Sequence, residues 1–136
     1  MNLVIDANMI IAALIKNGAA RQIILSDKFN FMSPDFIFDE IYKHREYIGR
    51  KSGLDHKDFD LVMLLLFQQI DIVPFDEYRS SIGPATAIMK DDIKDIPYIA
   101  CYLGQKCDGI WTNDADFNNK PGIRVIDTAT LLNILK

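Results

Sequence analysis

Leu3-Val4-Ile5-Asp6 opens the chain with a short apolar run that ends in a carboxylate. Gly109-Ile110-Trp111-Thr112-Asn113-Asp114 has a similar pattern near the other end of the chain. Continuous apolar runs of this length are typical of strands that are buried on both faces of a parallel sheet. An acid that follows such a strand lies at one edge of the sheet, and several acids there accumulate negative charge that a cation neutralises. The two stretches therefore predict an α/β sheet with a cation site at one edge.

The other apolar segments predict strands that alternate with helices. Strands are expected at residues 3–5, 29–32, 70–73, 110–112 and 124–126. Helices are expected at residues 8–16, 19–27, 58–69, 76–90 with an interruption at Gly83-Pro84, 95–106, and 128–136 with Thr128 as its cap. Strands separated by helices predict one domain over residues 1–136, an α/β fold in which a mainly parallel sheet of about five strands lies between two layers of helices.

A further helix is expected directly after the second strand. Ser33 and Pro34 give its start signal, with Ser33 as the N-cap and Pro34 at the first helical position. Glu40 lies on this helix, beside an apolar stripe that faces the core.

The polar stretch at residues 46–57 contains Gly49 and Gly53, so we expect it to be a turn between helices. The helix that follows, at residues 58–69, has so many apolar side chains that we expect it to be mostly buried.

The composition is that of an ordinary globular protein. The chain has 136 residues and a net charge of -4, and it lacks the apolar run of roughly 18 residues that a membrane span needs. Because Asp6 interrupts the first apolar run, the N-terminus does not resemble a signal peptide, and we expect a cytoplasmic protein without a membrane segment. Cys101 and Cys107 fall on different faces of a predicted helix, so both are expected to be reduced, and no zinc site is predicted.

Four acids are expected to converge at the edge of the sheet. In an open parallel sheet, the functional crevice lies beyond the carboxyl ends of the strands, where the strand order reverses. If the first and fourth strands are neighbours, Asp6 and Asp114 face each other there. Asp95 would join them from the start of a helix, and Glu40 from the side of another. Mg²⁺ and Mn²⁺ prefer such hard oxygen ligands.

Each acid also has an ordinary structural explanation when it is taken alone. Asp6 and Asp95 are well placed to cap helices, and Asp114 or Asp116 suits a turn. Glu40 alone is typical of a solvated helix face. Only the joint placement of these residues favours a metal site.

Four acidic segments are distributed over essentially the whole chain. They are Val4-Ile5-Asp6-Ala7-Asn8, Pro34-Asp35-Phe36-Ile37-Phe38-Asp39-Glu40-Ile41, Asp95-Ile96-Pro97-Tyr98-Ile99-Ala100 and Trp111-Thr112-Asn113-Asp114-Ala115-Asp116-Phe117. In this order and spacing, they resemble the motifs of the PIN-domain family of metal-dependent ribonucleases, which includes the VapC-like toxins of prokaryotic toxin–antitoxin pairs.

The resemblance implies a role for eight residues. The catalytic and metal-binding quartet would be Asp6, Glu40, Asp95 and Asp114. Asp116 corresponds to an accessory metal-binding acid, and the supporting residues would be Asn8, Thr112 and Asp92, the last being a rival to Asp95. The implied activity is hydrolysis of RNA phosphodiester bonds through water activated by Mg²⁺ or Mn²⁺. The implied partners are the RNA substrate, a cognate antitoxin protein and a second copy of the chain in a homodimer.

Two other functions compete with this hypothesis. A PIN-fold module that binds RNA or protein without cleaving would be expected to lack one of the four acids. A phosphohydrolase with an aspartyl nucleophile would need an Asp-x-Asp-x-Thr/Val pattern, which the segment after Ile5 lacks. The basic run Lys43-His44-Arg45, with Arg50 and Lys51 nearby, would either contact an RNA backbone or form a solvated helix face.

Overall fold

The structure is a computed structural model that describes residues 1–90 and 92–136. Its centre is a five-stranded sheet with the order β3-β2-β1-β4-β5, in which every neighbouring pair is parallel. The strands are β1 (Asn2–Ile5), β2 (Asn30–Pro34), β3 (Ile70–Val73), β4 (Gly109–Trp111) and β5 (Val125–Ile126). The predicted parallel α/β sheet is confirmed.

Helices flank both faces of this sheet. They are α1 (Ala7–Ile15), α2 (Ala19–Leu25), α3 (Ile37–Lys43), α4 (Arg45–Ser52), α5 (His56–Phe67), α6 (Phe75–Tyr78), α7 (Ile82–Ile88), α8 (Ile96–Gly104) and α9 (Thr128–Leu135). The chain moves outward from β1 to β3 and then returns past β1 to β4, so right-handed crossovers place the helices of the two halves on opposite faces. In agreement, α1 contacts α2 to α5, whereas α8 contacts α6, α7 and the central strands.

The core is densest around the two strands that carry the acidic segments. The side chains of Leu3, Val4 and Ile5 are fully buried, as is Trp111 in β4. The indole N–H of Trp111 donates a hydrogen bond to the hydroxyl of Thr128 at 3.1 Å. Burial on both faces explains why these strands are continuous apolar runs.

The predicted helix start at Ser33 and Pro34 is wrong. Both residues belong to β2, where they pair with Ile72 and Val73 of β3, and the Ser33 hydroxyl donates to the carbonyl of Ile5 at 3.2 Å. The local start signal is overridden because the strand extends between two partners, and α3 begins only at Ile37.

The predicted turn at residues 46–57 is also wrong for most of its length. Residues 45–52 form α4, which is anchored by the fully buried Ile48. Gly53 then ends the helix with a φ of +66°, a conformation that glycine adopts without strain. Asp55 caps α5 by accepting a hydrogen bond from the N–H of Asp58 at 2.8 Å.

Helix α5 is much more exposed than its composition predicts, because it lies at the periphery of one helical layer. Only Leu66 is fully buried, whereas Leu61, Leu64 and Leu65 are 53%, 58% and 42% exposed. Two aromatic side chains of α3 extend this surface: Phe38, which stacks on Phe67, and Tyr42. We call Phe38, Tyr42, Leu61, Leu64 and Leu65 the α3/α5 apolar surface.

Smaller differences concern helix ends and the cysteines. The helix interruption expected at Gly83-Pro84 lies earlier, at residues 79–81. Gly83 and Pro84 lie in the first turn of α7, which begins at Ile82. Asp127, not Thr128, caps α9 by accepting from the N–H of Thr130. Cys107 lies beyond the end of α8, and both cysteines are free and buried. Over the described residues, no helix has the length and apolar character that crossing a bilayer requires.

Candidate metal centre

The reversal of strand order lies between β1 and β4. Ile5 pairs with Trp111, and the N–H of Asp6 donates to the carbonyl of Trp111 at 3.2 Å. The expectation that the first and fourth strands are neighbours is therefore confirmed. The chain leaves these two strands toward different faces of the sheet, which opens a crevice beyond their carboxyl ends.

Asp6 is held at this crevice by a hydroxyl from the neighbouring strand end. Its side chain is only 4% exposed, and its Oδ2 accepts a hydrogen bond from the Thr112 hydroxyl at 2.8 Å. The same hydroxyl oxygen accepts from the N–H of Asp114 at 3.0 Å. Asp6 precedes α1, yet its side chain makes no capping hydrogen bond there. Thr112 thus ties the first acid to the turn that carries the fourth.

Asp95 is buried at the start of α8. It is 7% exposed, it does not cap the helix, and its Oδ2 has no hydrogen-bond partner in the part of the chain that the structure describes. Buried carboxylate oxygens are normally paired, so an orphaned one indicates a site that is completed by a cation or a proton.

Asp114 combines both roles that its sequence position suggested. It precedes a short 3₁₀ turn at residues 115–117, and its Oδ1 accepts from the N–H of Asp116 at 2.9 Å. It also lines a cavity together with Asp6, Glu40 and Asp95. Its function as a turn residue therefore does not remove it from the acidic site.

A cavity of about 180 Å³ brings the predicted quartet together. Its polar lining residues are Asp6, Asn8, Glu40, His44, Asp92, Lys94, Asp95 and Asp114. Thr112 lies behind Asp6 and contacts it through the hydrogen bond above. Asp116 faces the adjoining cavity, together with Asp92. All eight residues singled out from the sequence thus lie in or next to one region.

Asp92 and Asp95 belong to one cluster and need not be alternatives. One carboxylate oxygen each from Asp92, Asp95 and Asp116 can be chosen so that all three atoms lie within 4.8 Å of one another. Asp92 also accepts a hydrogen bond from the N–H of Lys94 at 3.2 Å, which fixes its orientation. The accessory acid Asp116 therefore approaches the Asp95 side of the site.

Two basic residues at the cavity, His44 and Lys94, are absent from the predicted site. His44 follows Glu40 by one helical turn, so the two share a helix face, and this spacing was a usable signal. Lys94 lies between Asp92 and Asp95 in the sequence, so its place at the cavity could also have been expected from its neighbours. Arg45, the next residue of the basic run, stacks on the Tyr42 ring, with its guanidinium carbon 4.0 Å from the ring centroid.

The electrostatics of the cavity favour protonated acids. Burial raises the pKa of Asp6 to about 6, against the opposing effect of the Thr112 hydrogen bond, and the charge of Asp114 adds to the increase. Burial also raises the pKa of Asp95 well above its usual range, followed by the charge and hydrogen bonding of Asp92. A divalent cation would relieve this repulsion, and a donor set made of carboxylate oxygens suits Mg²⁺ or Mn²⁺.

Comparison with known proteins finds a matching family and similar solved structures. A family model described as PIN domain matches residues 4–136. No curated protein matches the chain significantly. VapBC2 from Rickettsia felis, bound to a DNA fragment from its promoter, is similar in structure, with a TM-score of 0.70 and 12% identity over 93% of this chain and 98% of that one. A toxin–antitoxin complex from Klebsiella pneumoniae has a TM-score of 0.66 and 15% identity over 93% and 97% of the two chains.

Proposed function

This chain belongs to the PIN-domain family, and on that premise we propose that it is a ribonuclease that depends on Mg²⁺ or Mn²⁺ and acts as the toxin of a toxin–antitoxin pair. The observation that carries this proposal is the convergence of Asp6, Glu40, Asp95 and Asp114 on one cavity at the carboxyl edge of the sheet. The cavity lies where the strand order reverses, which is the position of functional sites in open parallel sheets.

The side chains present fit a divalent cation. The buried Oδ2 of Asp95 has no partner among the described residues, and the surrounding donors are hard oxygens. The quartet would hold the ion, with Asp116 next to it and Asn8 as a neutral neighbour. A bound Mg²⁺ or Mn²⁺ would supply an activated water and stabilise the negative charge that develops on the phosphate. Thr112 keeps the Asp6 carboxylate in a fixed orientation, so the ligand set is preorganised.

His44 and Lys94 provide positive charge at the rim of this acidic cavity. Both side chains are exposed, so each is able to meet an RNA phosphate without leaving the protein surface. This arrangement resolves the apparent conflict between a net charge of -4 and a polyanionic substrate, because attraction is needed only next to the cleaved bond.

The decisive experiment measures cleavage of RNA by the purified chain with Mg²⁺ or Mn²⁺ and with excess EDTA. Cleavage should require the ion, and Asp6→Asn, Glu40→Gln, Asp95→Asn and Asp114→Asn should each remove most of it. Asp71→Asn is the matched control, because Asp71 is an exposed acid on β3, away from the cavity. Comparison of Asp92→Asn with Asp95→Asn identifies the third essential acid.

Full cleavage in EDTA would exclude the metal-dependent mechanism. RNA that binds but is never cut, in either ion, would support the alternative of a PIN-fold module that binds RNA or protein without cleaving. Cleavage that survives all four amide substitutions would place the active site elsewhere.

An antitoxin partner is the second part of the proposal. Its support is that both similar structures are toxin–antitoxin or VapBC assemblies. Co-expression with the product of an adjacent short reading frame should give a stable complex and suppress RNA cleavage. If the chain purifies without the co-expressed product and its RNA cleavage is unchanged, that gene does not encode an antitoxin for it.

A homodimer is the third part, and we assign it to the α3/α5 apolar surface. Soluble monomers rarely leave this many large apolar side chains exposed together. A two-fold axis would let the same surface cover itself. Light scattering after gel filtration should show a dimer for the wild type and a monomer for Leu64→Glu. Ile134→Glu, which changes an exposed apolar residue of α9, should remain dimeric. A monomeric wild type would refute this assembly.

A further inference from the structure

Tyr98 has a buried hydroxyl with no hydrogen-bond partner. It lies in the first turns of α8 and its side chain is fully buried. Within residues 1–90 and 92–136, only two buried side-chain polar atoms are unpartnered, the hydroxyl of Tyr98 and the Oδ2 of Asp95. The Tyr98 hydroxyl is a donor without an acceptor, and the Asp95 Oδ2 is an acceptor without a donor. They belong to residues three positions apart, which are neighbours on a helix surface.

The Tyr98 ring packs against the residue that precedes α3. Its edge packs against Phe36 with ring centroids 6.3 Å apart, and Phe36 directly precedes α3, on which Glu40 lies. The carboxylates of Asp6, Glu40 and Asp95 are close enough for their charges to act on the phenol. The Tyr98 hydroxyl is therefore a hydrogen-bond donor near the predicted metal ligands.

Another buried tyrosine shows what an ordinary phenol does in this fold. Tyr78 is 3% exposed, and its hydroxyl donates to the Oδ1 of Asp35 at 2.6 Å. A buried hydroxyl without such a partner destabilises a protein relative to phenylalanine. Tyr98 therefore has a cost that a structural role does not explain.

We propose that Tyr98 is a positioning residue of the metal centre, whose hydroxyl donates a hydrogen bond to the Asp95 carboxylate when Mg²⁺ or Mn²⁺ is bound. This inference rests on the metal centre of the proposed function. A metal-bound carboxylate only accepts hydrogen bonds, and an additional donor to it limits which of its lone pairs face the ion. The residue acts through Asp95 and needs no contact with RNA.

The test is titration of Mn²⁺ into the metal-free protein by calorimetry, without RNA. Tyr98→Phe should bind Mn²⁺ about tenfold more weakly than the wild type, as loss of a hydrogen bond to a ligand typically does. Its metal-free melting temperature should be equal or higher, because the unpartnered hydroxyl is gone. Tyr78→Phe is the matched control, and it should melt lower while its Mn²⁺ affinity is unchanged.

Two further measurements assign the effect to Asp95. In an Asp95→Asn background, Tyr98→Phe should cause no further loss of affinity, whereas in an Asp114→Asn background it should again cause about a tenfold loss. Addition of Mn²⁺ should also perturb the ultraviolet absorbance of a tyrosine in the wild type, and this signal should be absent from Tyr98→Phe.

Wild-type Mn²⁺ affinity in Tyr98→Phe would overturn the inference, as would a wild-type protein that binds no Mn²⁺. A wild type that binds Mn²⁺ but cuts no RNA would instead refute the proposed ribonuclease and leave the role of Tyr98 standing.

Discussion

At the scale of single residues, the site is defined by four carboxylates, of which Asp6 and Asp95 are buried. Asp6 is almost fully buried, yet its one side-chain donor is the Thr112 hydroxyl. No lysine or arginine forms a salt bridge with it in the described part of the chain. A buried acid without a cationic partner is easier to protonate, and its titration therefore affects folding.

The metal-free protein should lose stability as the pH rises. The pKa of Asp6 is raised in the folded state, from its ordinary value of 3.8 to about 6, so the folded state binds more protons than the unfolded state within this window. The associated stability is present below the window and is lost as the pH rises through the folded pKa. Asp95 acts in the same direction at higher pH.

Denaturant unfolding in EDTA should give a larger free energy at about pH 5 than at about pH 7.5, with Asp6 contributing about 1–1.5 kcal/mol to the difference. Asp6→Asn keeps an acceptor for Thr112 and should flatten the dependence. Stability that increases between these two pH values would show that the acids are not buried together.

The acids were predictable from sequence, whereas their surroundings were only partly so. Asp6 and Asp114 follow apolar runs, and strand ends in a parallel sheet meet at one edge. Lys94 and Tyr98 gave a weaker signal, because a lysine between acids and a tyrosine in an apolar helix both have ordinary explanations. Their significance depends on distances across the fold that one-dimensional spacing does not contain.

At the scale of elements, errors arose where local signals opposed long-range pairing. The strands that form the centre of the sheet were recovered because burial on both faces gives a continuous apolar run. Ser33-Pro34 is a good helix start that became strand, because both residues pair with β3 and the Ser33 hydroxyl bonds to the carbonyl of Ile5 in β1. Helix α4 was missed because a single buried residue, Ile48, anchors an otherwise polar segment.

Gly109 lies where β4 packs closely against β5. A Cβ added at Gly109 would lie 2.8 Å from the Cδ1 of Ile126 and 3.3 Å from the carbonyl oxygen of Arg124. Gly109→Ala should therefore lower the free energy of unfolding by about 1–3 kcal/mol, as overpacking usually does.

Gly49→Ala is the matched control in denaturant unfolding. This glycine lies inside α4 with nothing within 4 Å of the added methyl group, so the change should stabilise the protein by about 0.5–1 kcal/mol. If Gly109→Ala and Gly49→Ala change the free energy of unfolding equally, β5 moves away from the methyl group added at Gly109 without cost.

At the scale of the whole molecule, the proposed ion binding should be coupled to folding. Mg²⁺ would bind only where the chain has brought distant acids together, so it should stabilise the folded state by mass action. At a concentration about 100-fold above its dissociation constant, the gain is about 2.7 kcal/mol, or roughly 10 °C in melting temperature.

Asp114→Asn should melt higher than the wild type in EDTA and gain less from Mg²⁺. The charge of Asp114 raises the pKa of both Asp6 and Asp95, so its removal relieves repulsion in the empty site. Asparagine retains an acceptor for the N–H of Asp116, which protects the turn. Differential scanning calorimetry of both proteins, with and without the ion, measures this. A mutant that melts lower in EDTA and responds to Mg²⁺ as the wild type does would separate Asp114 from the other acids.

The hydrogen bond between Asp6 and Thr112 joins residues 106 positions apart. During translation, β1 is made long before its partner β4. A nascent chain that still lacks β4 carries only part of the acidic cavity, so a ribonuclease built on this cavity would be inert at that stage, beside the messenger and the ribosome that produce it. Strand order thus delays the assembly of the four acids until β4 has been made.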